Sequence, residues 1–383
     1  MIERYLLLGL RLGKHVDGFV DAYFGPTELA AQVEPEPPTD PAELAAEASA
    51  LLVLADDGEL DGRRAAWIRA QLVGLETVAR RLAGEQISWL DEVERCYGVR
   101  PRLTSEEQFE EGHRVLDETF TDTEGYQRWL AEQVVPPERL LEAATVLRDE
   151  ARRRSAERFG LPDGENTYLE LVTNEPWAAF NYYEGGLRSR VVINTDLPVW
   201  SHRLAHLVTH ELYPGHHTEH ASKEHSLVRE RGFLEESILL TGTPQSLVSE
   251  GIGELAPEMA FGEDVHAQTA ELLCPLGLRY DVERAERWRQ ASRLLREVAD
   301  NVAYQLNAED RPREEVVEYG VRWSRLPRER IEKVADFVTD PTWRAYSSCY
   351  THGESLVRAY VGGEPERYRR LLTEQVTTAD LTA

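Results

Sequence analysis

Seven of the 11 histidines in this 383-residue chain fall between positions 202 and 225: His202, His206, His210, His216, His217, His220 and His225. The cluster is internal and interrupted, so it is no expression tag, and it is far denser than a random scatter. Neutral imidazoles and carboxylates are the ligands zinc takes, usually three from the protein when the site is catalytic. The centre of the cluster reads Leu207-Val-Thr-His210-Glu211-Leu-Tyr-Pro214-Gly215-His216-His217. A glutamate directly after a ligating histidine sits beside the metal without binding it, where it can take a proton from zinc-activated water.

That is the logic of H-E-x-x-H, in which two histidines at i and i+4 share one helix face. Here position i+4 from His210 is Pro214, and the next histidine stands at i+6. Pro214 cannot donate to the His210 carbonyl and must distort the helix, while Gly215 permits an unusual backbone. A bulged turn would bring His216 back to the metal. His216 is therefore the preferred second ligand and His217, on the right face but a turn too far along, the alternate. His206 and His210 have true i, i+4 spacing and form a rival pair that His202 extends; the plainer reading of His202 and His206 is a polar helix face.

The third ligand is expected downstream, where Ser249-Glu250-Gly251-Ile-Gly253-Glu254 follows the apolar pair Leu247-Val248. Glu250 is preferred. Glu254, one turn on, is the alternate or an acceptor for a ligand's second N–H. With 69 acidic residues in the chain, a surface charge is the bland reading of either.

The elements that must position these side chains are mostly helices. Residues 1–32 read as one helix, and the proline-rich stretch 34–41 as a connector. Asp40-Pro41 marks a helix start, and helical patterning covers 41–55, 61–83, 84–97, 104–120, 122–132 and 136–159. The period then changes. Thr167–Thr173, Ala178–Tyr183 and Arg188–Asn194 are short and rich in β-branched and aromatic residues, and Glu184-Gly185-Gly186 supports a hairpin between the last two. Phe233–Val248 reads as helical or mixed, and helix resumes to near the end. The expected fold is mainly α, with one small antiparallel sheet preceding the metal-binding helix. Residues 1–160 form a helical lobe and 161–383 the zinc-binding catalytic region, unless contacts make them one continuous unit.

Composition excludes several partners. A formal charge of -26 argues against nucleic acid, which needs a basic face, and against anionic lipid. Cys96, Cys274 and Cys349 are too few and too scattered for a disulfide framework or a thiolate zinc site. The first residues lack the basic and long apolar regions of a signal peptide, and no run of about 18 apolar residues exists. A soluble cytoplasmic protein is expected; the oligomeric state is not set by the sequence.

His-Glu-x-x-Pro-Gly-His-His resembles the signature of a bacterial domain-of-unknown-function family, number 885, in the gluzincin-like metallopeptidase clan. Tyr182-Tyr183-Glu-Gly-Gly-Leu-Arg-Ser-Arg-Val-Val-Ile-Asn194, Glu250-Gly251, and Ala299-Asp300 with Arg311–Tyr319 are similar to further family segments in the same order. The resemblance spans roughly 165–360 and implies a mainly helical gluzincin fold. It implies zinc on His210, His216 and Glu250, Glu211 as general base, and a strand, here Arg188–Asn194, lying antiparallel to substrate above the metal. Clan members often stabilise the oxyanion with a Tyr or His from a late helix, which points to Tyr346, Tyr350 or His352. Ile252 replaces the family's Trp, Gln305 its His, and the usual lead-in before Trp343 is lost, so substrate choice is open.

Tyr182, Arg188, Arg190 and Asn194 are candidates to bind substrate, the arginines through a carboxylate. The reaction expected is hydrolysis of a peptide or small amide. The rivals are a zinc hydrolase of a non-peptide amide or ester and a non-catalytic metal-binding protein; an intact Glu211 speaks against the latter, since a structural site does not need it.

Overall fold

The computed structural model describes every residue except Asp57, Glu59, Pro176 and Ala383. The protein is mainly helical. Before the central sheet come α1 (Ile2–Leu12), β1 (Val20–Tyr23), α2 (Thr27–Val33), α3 (Pro41–Ala55), α4 (Gly62–Leu82), α5 (Trp89–Tyr97), α6 (Glu106–Thr119), α7 (Thr123–Glu132) and α8 (Pro137–Phe159). The sheet is built from β2 (Asn166–Val172), β3 (Ala179–Gly185) and β4 (Arg188–Asn194). After it come α9 (Ser201–Glu211), α10 (His216–Lys223), β5 (Ile238–Leu240) and α11 (Pro244–Phe261). The chain ends with α12 (Val265–Leu273), α13 (Val282–Leu295), α14 (Val298–Asn307), α15 (Arg313–Ser324), α16 (Arg328–Thr339), α17 (Ser348–Val361), α18 (Pro365–Thr373) and α19 (Thr378–Leu381).

Local chemistry fixes many boundaries. The Asp40 side chain accepts from the Ala42 amide with Pro41 in the first turn of α3, and Asp61 caps α4 in the same way through the Arg64 amide. Ser88 accepts from the Asp91 amide, so α5 begins at Trp89 rather than at 84; Gly84, at φ +93°, belongs to the preceding loop. The first 32 residues are not one helix. α1 ends at Leu12, Gly18 takes φ +75°, and Val20–Tyr23 is a strand. That strand exists because β5, more than 200 residues away, pairs with it antiparallel. A local period cannot show such a pairing.

The central sheet has the order β2-β4-β3. β3 and β4 form the expected antiparallel hairpin, turning through Gly185 and Gly186 at φ +71° and +66°. β2 pairs with the other edge of β4, and in parallel, so the sheet is mixed. β4 is thus the middle strand, which explains the buried run Val191-Val192-Ile193. Val191 and Ile193 pack with Leu204, Ala205 and Val208 of α9 and with Ala144 and Leu147 of α8. α9 is therefore held between the sheet and α8, with its histidines on the remaining face.

The largest apolar cluster joins Leu6, Leu72 and Trp67 to Ile238, Leu247, Val302 and Cys349, so elements from the two ends of the chain share one core. α11 and α17 cross where Gly251 meets Gly353; a Cβ on either would strike the other's backbone. This contact brings the start of α17 over Glu250. Among the described residues, no helix is long and apolar enough to cross a membrane.

Candidate metal centre and cleft

α9 ends one residue after His210. The Tyr213–Pro214 peptide is cis, and Gly215 lies against the end of α9, its amide donating 3.0 Å to the Thr209 carbonyl. A Cβ at Gly215 would collide with the His210 carbonyl, so only glycine allows this return. α10 then starts at His216, and its imidazole stands edge-on to His210 with ring centroids 4.6 Å apart. The i+6 spacing is closed by a break between two helices rather than by a bulge within one.

Glu250, in the middle of α11, completes the group: one ligand atom from each of His210, His216 and Glu250 lies within 4.8 Å of the others. His210 Nε2 is 3.5 Å from Glu250 Oε2, and that oxygen is buried with no hydrogen-bond partner. An orphaned buried carboxylate oxygen between two imidazoles is what a cation site requires. Burial alone would lower the His210 pKa, but Glu250, Glu211 and Glu254 hold it up at about 9. The local field therefore favours positive charge at His210, whether a proton or a metal ion.

The surroundings fix each donor. Ser249 Oγ donates to Glu219 Oε2 at 2.6 Å, so at 3.1 Å from His216 Nδ1 it can only accept; the His216 proton is then on Nδ1 and its Nε2 lone pair is free. Tyr346 donates to Glu250 Oε1 at 2.6 Å, leaving Oε2 as the free oxygen. Gly253 lies under the His210 ring. Burial raises the Glu211 carboxyl, partly offset by His210 and His216.

His217 is turned away. It is fully buried, with Nε2 2.9 Å from Glu165 Oε2 and Nδ1 2.8 Å from Ser189 Oγ, so neither nitrogen is available to a metal. His206 and Glu254 form a second possible group with His210. There Glu254 is held by Arg296 at 3.1 Å and lies 3.3 Å from His206, and both residues face a separate, smaller cavity. His202 is buried between Trp129 and Trp288, with centroids at 4.6 and 4.9 Å.

His210, Glu211, His216 and Glu250 line a cleft of about 470 Å³. Its walls include Trp177, Phe180, Phe337, Trp343, Tyr346 and Tyr350. Tyr346 and Tyr350 pack edge to face at 5.7 Å, and no hydrogen bond holds the Tyr350 hydroxyl among the described residues. His352, Tyr182, Arg188 and Arg190 are not part of this lining. Arg190 lies over the Tyr182 ring at 4.3 Å and 3.4 Å from Glu170. Asn194 donates to the carbonyls of Glu175 and Trp177, so it braces the loop that carries Trp177 over the cleft.

Among the polar cleft residues not assigned to the site from the sequence are Asp21 on β1, Asn181 on β3 and His220 on α10, the last named only as a member of the histidine cluster. Asn181 Nδ2 donates 2.5 Å to the Glu211 carbonyl, while its buried Oδ1 has no partner. His220 stacks parallel to His216 at 5.8 Å, and burial holds its pKa down at about 3. His220 had a signal in the sequence, its place in the histidine cluster; Asp21 and Asn181 reach the cleft through strand pairing.

No protein-family model and no curated protein matches the chain. The fold does have solved relatives. One is "the putative lipoprotein from Colwellia psychrerythraea", 13% identical, with a TM-score of 0.53 over 90% of this chain. This chain spans 66% of the length of that one. The likeness shows a shared fold. The carboxypeptidase of Pyrococcus furiosus aligns over 90% of this chain and 73% of its own, at 15% identity and a TM-score of 0.38, too low to carry an argument.

Proposed function

We propose that this chain is a zinc-dependent peptidase, with the metal held by His210, His216 and Glu250 and with Glu211 as general base. The observation that carries the reading is the convergence of three donors in the floor of an open cleft beside a free carboxylate. Two imidazoles and one carboxylate are a zinc donor set, and three protein ligands rather than four leave a position for chemistry. The resemblance of the His-Glu-x-x-Pro-Gly-His-His segment to the domain-of-unknown-function 885 family supports the same assignment.

The chemistry such an ion supplies when bound is Lewis acidity, acidifying a water and polarising a carbonyl. The remaining work falls to the chain. Glu211 accepts the water proton and returns it to the leaving amine; its burial-raised pKa suits a group that must do both. Tyr346 is committed to Glu250 and orients that carboxylate. Tyr350, with an unengaged hydroxyl over the same cleft, is the donor to the developing oxyanion. The aromatic walls exclude water and accept apolar side chains.

A peptide-library digest of the zinc-loaded protein, with Glu211→Gln as control, tests the reading. Cleavage by the wild type and none by the variant is expected. Zinc-loaded wild type that cleaves no peptide but hydrolyses esters or other amides would move the assignment to a non-peptide hydrolase.

A further inference from the structure

His220 lies one turn beyond His216 on α10, and the two rings are parallel, with centroids 5.8 Å apart. Tyr183 packs against the same ring in a T-shaped contact at 5.3 Å. The residue is only 7% exposed. Its ring makes no hydrogen bond among the described residues. Nδ1 is sealed off without a partner. Nε2 is not sealed, so it is the nitrogen that opens on the cleft, which His220 lines.

A histidine in that state gives the fold nothing that a leucine would not. Taking an imidazole out of water with no bond for either nitrogen costs free energy, and an apolar side chain of similar size escapes that cost. The ring therefore calls for an explanation other than stability. Its chemistry is narrow. Burial keeps it neutral, and a cation on His216 would act in the same direction. A neutral imidazole carries one proton. On Nδ1 that proton would be a buried donor with no acceptor, the rarer kind of orphan, so it sits on Nε2 and faces the cleft. The cleft thus offers its substrate an uncharged N–H. The lining includes Asp21, Glu211 and Glu250 and, among the described residues, no Arg or Lys, so a substrate carboxylate finds no counter-charge from the chain there. The acceptor that fits is a carbonyl oxygen.

We infer that His220 is a substrate-binding residue whose Nε2–H donates to a main-chain carbonyl of a peptide lying along the cleft, beside the carbonyl that is cleaved. Four residues of helix rise about 6 Å, and an extended peptide advances about 3.3 Å per residue. A donor one turn beyond His216 therefore serves a neighbouring carbonyl rather than the reacting one. The inference rests on the peptidase reading for its substrate, though the contact itself is measured without cleavage.

The test is calorimetry on the zinc-loaded Glu211→Gln protein, which binds substrate without turning it over, with the capped peptide acetyl-Ala-Phe-Ala-amide as probe. Adding His220→Leu should weaken binding by about tenfold, the scale of one hydrogen bond. Zinc content should stay the same, and the melting temperature of the metal-free protein should not fall. Adding His220→Gln instead, whose amide nitrogen takes the place of Nε2, should keep binding within about threefold of the parent. Spectra of protein carrying isotope-labelled histidine give a reading that does not depend on the leucine variant. The His220 ring, assigned by its absence in His220→Gln, should show the Nε2–H tautomer and shift when peptide is added. Equal binding with and without His220→Leu, no recovery with His220→Gln, loss of zinc on either substitution, or an Nδ1–H tautomer would overturn the inference and leave the peptidase reading standing. If His220→Leu does not fold, the tautomer and the shift decide alone. No binding of the peptide to zinc-loaded Glu211→Gln would overturn both. The predicted pattern with no peptide cleaved by the wild type would remove the peptidase reading and leave His220 as a peptide-binding residue.

Discussion

A Cβ atom on Gly253 would lie 2.7 Å from Nδ1 and Cε1 of the His210 imidazole. The ring of His210, a proposed ligand, therefore rests on bare helix backbone, one turn from Glu250 on the same helix. Gly253→Ala should displace the ring and weaken zinc binding by about ten- to a hundredfold, the usual effect of disturbing a ligand's support. Alanine is favoured over glycine in a helix by roughly 0.5–1 kcal/mol, which offsets part of the clash. A competition titration with a zinc dye, paired with thermal melting of the metal-free protein, separates the two effects.

The two adjacent histidines should behave oppositely. Ser249→Ala removes the acceptor that sets the His216 tautomer and should weaken zinc binding by about tenfold or more, and it should also cost about 1–3 kcal/mol of stability through its lost bond to the buried Glu219 carboxylate. His217→Gln touches no ligand but disturbs buried bonds to Glu165 and Ser189, and should cost about 1–3 kcal/mol of stability with zinc content unchanged. Denaturant melts and elemental analysis of both variants check the pair.

The tyrosines divide the same way. Tyr350→Phe should lower kcat by about a hundredfold or more with KM and zinc affinity nearly unchanged, as expected for a lost oxyanion donor. Tyr346→Phe frees Glu250 and should show chiefly as weaker zinc binding. His352→Ala, outside the cleft, should leave both intact. Steady-state kinetics at saturating zinc distinguish the three.

Acid stability should report His202. Burial, and then Arg203, hold its pKa down at about 3, against about 6.5 when unfolded. The folded pKa is depressed, so the unfolded chain binds the proton first as pH falls. The contribution is complete above about pH 6.5 and is lost below it at about 1.4 kcal/mol per pH unit, until about pH 3. Neither ring nitrogen has a partner, so His202→Gln breaks no hydrogen bond and should flatten this slope. Urea melts at pH 7.0, 6.0 and 5.0 measure it.

What could be read from the sequence follows a physical line. The helices from 41 to 159 carry their own period and caps, so Asp40 and Asp61 mark starts that the structure keeps. The hairpin at Gly185-Gly186 is equally local. The strand at 20–23 is not: its apolar residues suit a helix as well, and only pairing with β5 decides. Asp21, on that strand, was invisible for the same reason. The histidine segment pointed to a group of potential metal ligands by residue type. Its geometry depended on Gly215 closing against α9, so the choice between His216 and His217 needed coordinates. Arg188 and Arg190 were candidate carboxylate anchors because the family resemblance lays their strand along the substrate; the cleft lining includes neither.

The most direct measurement is the metal content of the purified protein by elemental analysis, for the wild type, Glu211→Gln and His210→Ala. One zinc per chain in the wild type and in Glu211→Gln, with none in His210→Ala, is the predicted result. No zinc in the wild type, even after its addition at neutral pH, or full zinc retention in His210→Ala, would contradict the assignment of this site.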